Sequence, residues 1–109
     1  MYKIKTSTSF DRSIKKLFKK YPKVKQDCLK LLEKLEQGIF DDDKIQGFSG
    51  NIFKVRIGST DQKKGKSGGF RVIYYVVTKN KKVVLLTIYA KAQQETITNQ
   101  EIKNILNKG

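Results

Sequence analysis

The chain has 109 residues and a formal net charge of +14, from 24 Lys and Arg against 10 Asp and Glu. That length suits a single α+β domain, residues 1–109, with one modest core, and so basic a balance calls for a polyanionic partner: nucleic acid, an acidic protein or an anionic surface. The absence of histidine removes His-based triads and His metal ligands. The lone cysteine, Cys28, permits no internal disulfide, and no apolar run approaches the roughly 18 residues of a membrane span.

In chain order, Tyr2–Thr6 alternates as a short edge strand whose lysines would blunt the edge. The start of the chain lacks an apolar leader segment, so a cytoplasmic location is expected. Ser9 offers an N-cap with Asp11 in the first turn. Phe10, Ile14, Leu17, Phe18 and Tyr21 then recur at helical spacing, and the opposite face of that helix carries lysines best read as solvated. Pro22 ends it. Val24, Cys28, Leu31, Leu32 and Leu35 mark one stripe of a second helix that Gly38 stops. On that stripe Cys28 reads as a core residue and not as a nucleophile. The short link between the helices predicts an antiparallel hairpin.

Asp41, Asp42 and Asp43 cluster in a turn-forming link. With no further ligands nearby they read as a cap or a local counter-charge, and no metal or other cofactor is expected. Three strands follow, over Ile52–Gly58, Phe70–Thr78 and Val83–Tyr89, with a compact turn at Lys79–Lys82. Alternation puts Lys54 and Arg56 on one face and Val55 and Ile57 on the other. Arg71, Ile73, Tyr75 and Val77 share one face of the second strand, Val72, Tyr74 and Val76 the other. From Phe53 to Lys91 there are ten Lys and Arg against one acid, Asp61. Finally, Thr98-Asn99-Gln100-Glu101 has the form of a capping box before a helix with Ile102, Ile105 and Leu106 on one side. The order β-α-α-β-β-β-α predicts an antiparallel-dominated sheet, a helical hairpin on one face, and an open basic face opposite.

Three motifs in this order, FKVRIG after a helical pair, KKGKSGGFRVIYYV, and VVLLTIYAKAQQETIT before a last helix, resemble the RelE/ParE superfamily of toxins from toxin–antitoxin systems. The KKGKSGGFRVIYY form resembles its HigB-like branch most. The resemblance implies a ribosome-dependent mRNA endonuclease (mRNA interferase) that needs no metal. The RNA's own 2′-OH attacks the neighbouring phosphate while protein cations hold the developing charge. It also implies an acidic antitoxin as partner, with contacts to mRNA and ribosomal RNA.

Carried over by position, the resemblance assigns catalysis to Lys54, Arg56, Arg71 and Lys91. Lys54 would act as base if Arg56 and Arg71 make its protonated form costly. Arg56 and Arg71 would clamp phosphate, and Lys91 would sit near the leaving group. Lys63, Lys64 and Lys66 would dock on ribosomal RNA. The chain departs from the family pattern at Ala92, where some members have arginine, and at Thr98, where some have a stacking tyrosine. Tyr89, or Tyr74, could replace that aromatic. Two alternatives come with the fold: a ParE-like inhibitor of DNA gyrase without enzymatic activity, and a catalytically degenerate RNA- or ribosome-binding domain.

Overall fold

The computed structural model describes residues 1–63 and 68–108. The elements are β1 (Lys3–Thr6), α1 (Thr8–Lys20), α2 (Val24–Asp27), α3 (Leu29–Glu36), β2 (Asp43–Lys44), β3 (Asn51–Ile57), β4 (Phe70–Val77), β5 (Lys82–Ala90) and α4 (Asn99–Lys108). They form a five-stranded sheet of order β1-β5-β4-β3-β2. All pairs are antiparallel except β1 with β5, which run parallel.

Local chemistry explains the helix ends. Ser7, not Ser9, caps α1: its Oγ accepts from the Phe10 N–H at 3.0 Å and donates to Leu86 O at 2.7 Å. The cap therefore also fixes the helix to β5. The expected second helix is broken into α2 and α3 around Cys28. Its stripe still faces the core, with Val24, Cys28, Leu31 and Leu35 buried. Gly38 closes α3 at φ +79°, a conformation that suits glycine. The capping box forms as the sequence predicts, with the Thr98 N–H on Glu101 Oε1 at 3.2 Å and the Glu101 N–H on Thr98 Oγ1 at 3.1 Å.

Two apolar clusters hold the layers together. The larger packs α1–α3 on one sheet face, where Phe10, Leu17, Val24 and Leu35 meet Phe70, Val72, Tyr74 and Ile88. The smaller lies on the opposite face, where Ile52, Ile73, Leu86 and Tyr89 meet Ile102 of α4. This corrects the expectation of a fully open second face. The apolar side of α4 must be buried somewhere, and the sheet residues beneath it have the same need. The basic surface is thereby confined to the part of that face left uncovered.

The aspartate cluster is a counter-charge. Lys34 Nζ binds Asp41 at 2.8 Å and Asp42 at 2.7 Å, and Asp42 also accepts the Tyr74 hydroxyl at 2.5 Å. Burial lowers the pKa of Lys34, but the hydrogen bonds to Asp41 and Asp42 and their charge outweigh it and leave the group raised.

Candidate nucleic-acid interface

The pleat and the pairing register assemble the cations. Arg56 on β3 stands directly opposite Arg71 on β4, which stands directly opposite Tyr89 on β5. Residues paired in this way share a face, with Cα atoms about 4.5–5.5 Å apart. Lys54, two residues back on β3, shares that face. At the other side, one residue beyond β5, the Lys91 N–H donates to Gly69 O at 3.1 Å, which sets Lys91 beside the start of β4. Arg56 and Arg71 are thus paired near one end of the sheet, with Lys54 two residues further in on β3 and Lys91 just beyond the end of β5.

Their exposure differs. Arg56 is exposed, and Lys54 and Lys91 are half-buried. Lys91 has Glu95 at 4.0 Å, a loose pair across one turn. Arg71, expected on an open face, is only 4% exposed. Its Nη1 donates to Gly68 O at 2.6 Å and to Phe70 O at 3.2 Å. A buried guanidinium needs such acceptors, and the glycine turn supplies them. Gly69, at φ +49°, lies so near Ile57 O that an added Cβ would stand 2.1 Å from it. The glycines of the GGFR motif therefore shape the acceptor site for Arg71.

Other expected residues separate. Tyr74 does not join the site. It is fully buried on the helix side of the sheet, its ring stacked on Phe53 with centroids 5.3 Å apart and its hydroxyl on Asp42. The alternation that puts Lys54 outward puts Tyr74 inward. Burial, then the bond to Asp42, pushes its phenol far above the ordinary range. Tyr89 does lie in the cationic row, 7% exposed beneath α4. Burial raises its phenol, while Arg71 draws it down and Glu101 raises it. Lys63 is exposed, with φ +53°. Lys64 and Lys66 lie outside the described residues.

Several acidic roles were not readable from the sequence. Asp43 on β2 pairs with Lys54 and places a carboxylate opposite the candidate base. Asp61 Oδ2 accepts the Lys23 N–H at 2.8 Å. Asp27 accepts both the N–H and the hydroxyl of Thr60, at 3.0 and 2.5 Å. These bonds tie the segment after β3 to the helical layer. The single acid in the basic stretch is therefore a backbone anchor, a role set by contacts 38 residues away. Among the described residues no group of His, Cys, Asp and Glu is placed to hold a metal, and no helix is long and apolar enough to cross a membrane.

A small antiparallel-dominated sheet, backed by helices and carrying a row of cations at one end, defines the class of protein. The family model describing the RelE toxin of the RelE/RelB toxin–antitoxin system matches residues 5–108. The chain belongs to this toxin family. The fold is similar to the crystal structure of the isolated E. coli RelE toxin, at TM-score 0.58 and 18% identity over 100% of both chains. It is also similar to a double-arginine mutant of E. coli RelE in the free state, at TM-score 0.57 and 19% identity, covering 98% of this chain and 95% of that one.

Proposed function

We propose that this toxin is an mRNA interferase of the HigB-like kind, a cytoplasmic endoribonuclease that cuts messages on the ribosome and is silenced by an acidic antitoxin. One observation carries the reading: Arg56 and Arg71 are paired directly across two strands on one face, with Lys54 and Lys91 beside them. Like charges directly opposite each other are destabilising. A fold that keeps two such charges in register is suited to an anion on that face, and a phosphodiester supplies one.

The residues then divide the chemistry. The RNA 2′-oxygen attacks phosphorus, and the P–O5′ bond breaks, leaving a cyclic phosphate and a 5′-hydroxyl. The exposed Arg56 holds the phosphate oxygens as negative charge builds, and the buried Arg71 adds its positive charge from within the sheet. Arginine stays protonated, so proton transfer falls to the lysines. Lys54 takes the 2′ proton, and Lys91 gives one to the leaving oxygen. Lys63, with Lys64 and Lys66, supplies long-range attraction to ribosomal RNA.

Primer extension on a translated message after brief induction tests this. Cuts in phase with codons are expected, and Arg56→Ala should reduce them by roughly 10²–10³, the usual cost of one preorganised charge-stabilising group. Intact messages throughout would end the nuclease reading. The burial of Arg71 favours a second reading, ribosome binding without cleavage, for which intact messages with tight ribosome association would be the signature.

A further inference from the structure

One edge of the sheet is only partly covered. β2 pairs with Phe53 and Lys54 of β3 and goes no further. The chain before β2 turns off towards α3, where Asp41 and Asp42 bind Lys34. The Ile45 N–H donates to Ile52 O at 2.8 Å, and the alternation of a strand's backbone turns the N–H and C=O of Lys54 and Arg56 to that same edge. Among the described residues no strand pairs with Arg56 on that side. A bare strand edge is a template for another strand.

A groove follows this edge. Its first part, of about 210 Å³, lies between α3 and β3 and has Leu31, Val55 and Ile57 as its apolar walls. It shares Asp27, Lys30 and Gly58 with an adjoining hollow of about 530 Å³. The carboxylate of Asp27 is already taken by the N–H and the hydroxyl of Thr60, and Lys34 by its two aspartates. Lys30, Arg56 and Lys63 also line the groove, and all three are exposed. Among the described residues no salt bridge joins any of them to a carboxylate. The charge the groove offers to a partner is therefore positive.

These features select one kind of occupant. Regularly spaced backbone donors and acceptors beside an apolar slot suit a polypeptide and not RNA, whose backbone has no matching row of N–H and C=O groups. A second copy of this chain would bring its own +14 charge against these cations and be repelled. Charged side chains guard exposed edges against self-association, and such guards admit a partner of opposite sign.

We infer that the open edge of β3 at Arg56, with the groove it shares with α3, receives an acidic extended segment of the partner protein as an added strand. An apolar side chain of that segment fills the slot at Leu31, and carboxylates meet Lys30 and Arg56. Residues paired across two strands share a face, so a carboxylate opposite Arg56 competes there with phosphate. Strand addition at this edge would thus silence the site by occupying its exposed arginine. The inference rests on the acidic-antitoxin part of the proposed function and does not require cleavage.

The test adds a short capped peptide of alternating glutamate and valine to the isotopically labelled full chain and follows amide hydrogen exchange by NMR. The Arg56 amide should exchange more slowly, and the signals of Leu31 and Gly58 should shift. The same peptide with a methylated backbone, which cannot donate hydrogen bonds, should bind about tenfold more weakly. Lys30→Glu, an exposed change outside the catalytic set, should weaken the unmethylated peptide without lowering the melting temperature. Unchanged exchange at Arg56, equal binding of the methylated peptide, or the same protection from a single-stranded RNA oligonucleotide would overturn the inference. Message cleavage by the free protein with no peptide protection at Arg56 would sink this inference and leave the nuclease reading standing. Protection without any cleavage would support the strand site and remove the nuclease reading.

Discussion

Arg71→Ala tests whether this side chain organises the loop as well as the chemistry. The residue is 4% exposed, and its Nη1 bonds Gly68 O at 2.6 Å and Phe70 O at 3.2 Å. The short bond is charge-assisted and worth roughly 1.5–3 kcal/mol, while the longer one, to an adjacent carbonyl, adds little. Removing a buried cation also relieves some desolvation cost, which lowers the net effect. A loss of about 2 kcal/mol remains. For a domain near 100 residues that is a fall of about 10 °C in melting temperature. Arg71→Lys keeps a donor and the charge but loses the planar fork. It should recover most of the stability and little of the cleavage. Thermal denaturation followed by circular dichroism, beside a ribosome-dependent cleavage assay, separates the two effects. If Arg71→Ala melts with the wild type, the guanidinium does not hold the loop, and its burial has another cause.

Tyr74→Phe should cost about 1–2 kcal/mol in urea denaturation, because it removes the hydroxyl from Asp42 inside the core; an unchanged midpoint would mean that Lys34 alone anchors that carboxylate. Cys28 gives the chain an alkaline weakness: burial, then Asp27, pushes its thiol up to about 11. An unfolded thiol loses its proton first, so above the ordinary value the unfolded state binds fewer protons and stability falls with pH. The fall should reach roughly 2–3 kcal/mol by the time the folded thiol titrates, and Cys28→Ser should flatten that part of a stability–pH series. Gly69→Ala puts a Cβ 2.1 Å from Ile57 O at a positive φ; it should lower the melting temperature more than Arg71→Ala does and release the Lys91 backbone.

What the sequence revealed was what repeats locally. Period-two alternation located β3, β4 and β5 and assigned Lys54 and Val55 to opposite faces. The Thr98–Glu101 spacing located α4. Features settled by distant partners were hidden. The pairing of β1 with β5 joins Lys3–Thr6 to Lys82–Leu85, far apart in sequence. The two-residue β2 exists only because β3 lies beside it. The choice of Ser7 over Ser9 as cap follows from its second bond to Leu86 O. The site divided the same way. The row of Arg56 and Arg71 was legible, because pleat and register fix it. The burial of Arg71 was not, because its acceptors are loop carbonyls that no side-chain pattern reports. Tyr74 and Tyr75 look equivalent as letters, and only the pleat sends the first into the core. Near them the β4–β5 register shifts between Ile73 and Tyr74, which simple alternation does not foresee.

The parallel docking of the first strand has a temporal implication. Its neighbour begins at Lys82, and the Ser7 hydroxyl reaches a carbonyl 79 positions later. Contacts so remote in sequence pay their chain-closure entropy late. The opening segment's contacts with the helical layer, the Tyr2 N–H on Glu36 O at 2.9 Å and the Tyr2 ring against Phe40, can form early, but its strand partner exists only once Lys82–Ala90 has been made. The sheet of this toxin is thus closed at its β1 edge by a pairing that only the late strand β5 can offer.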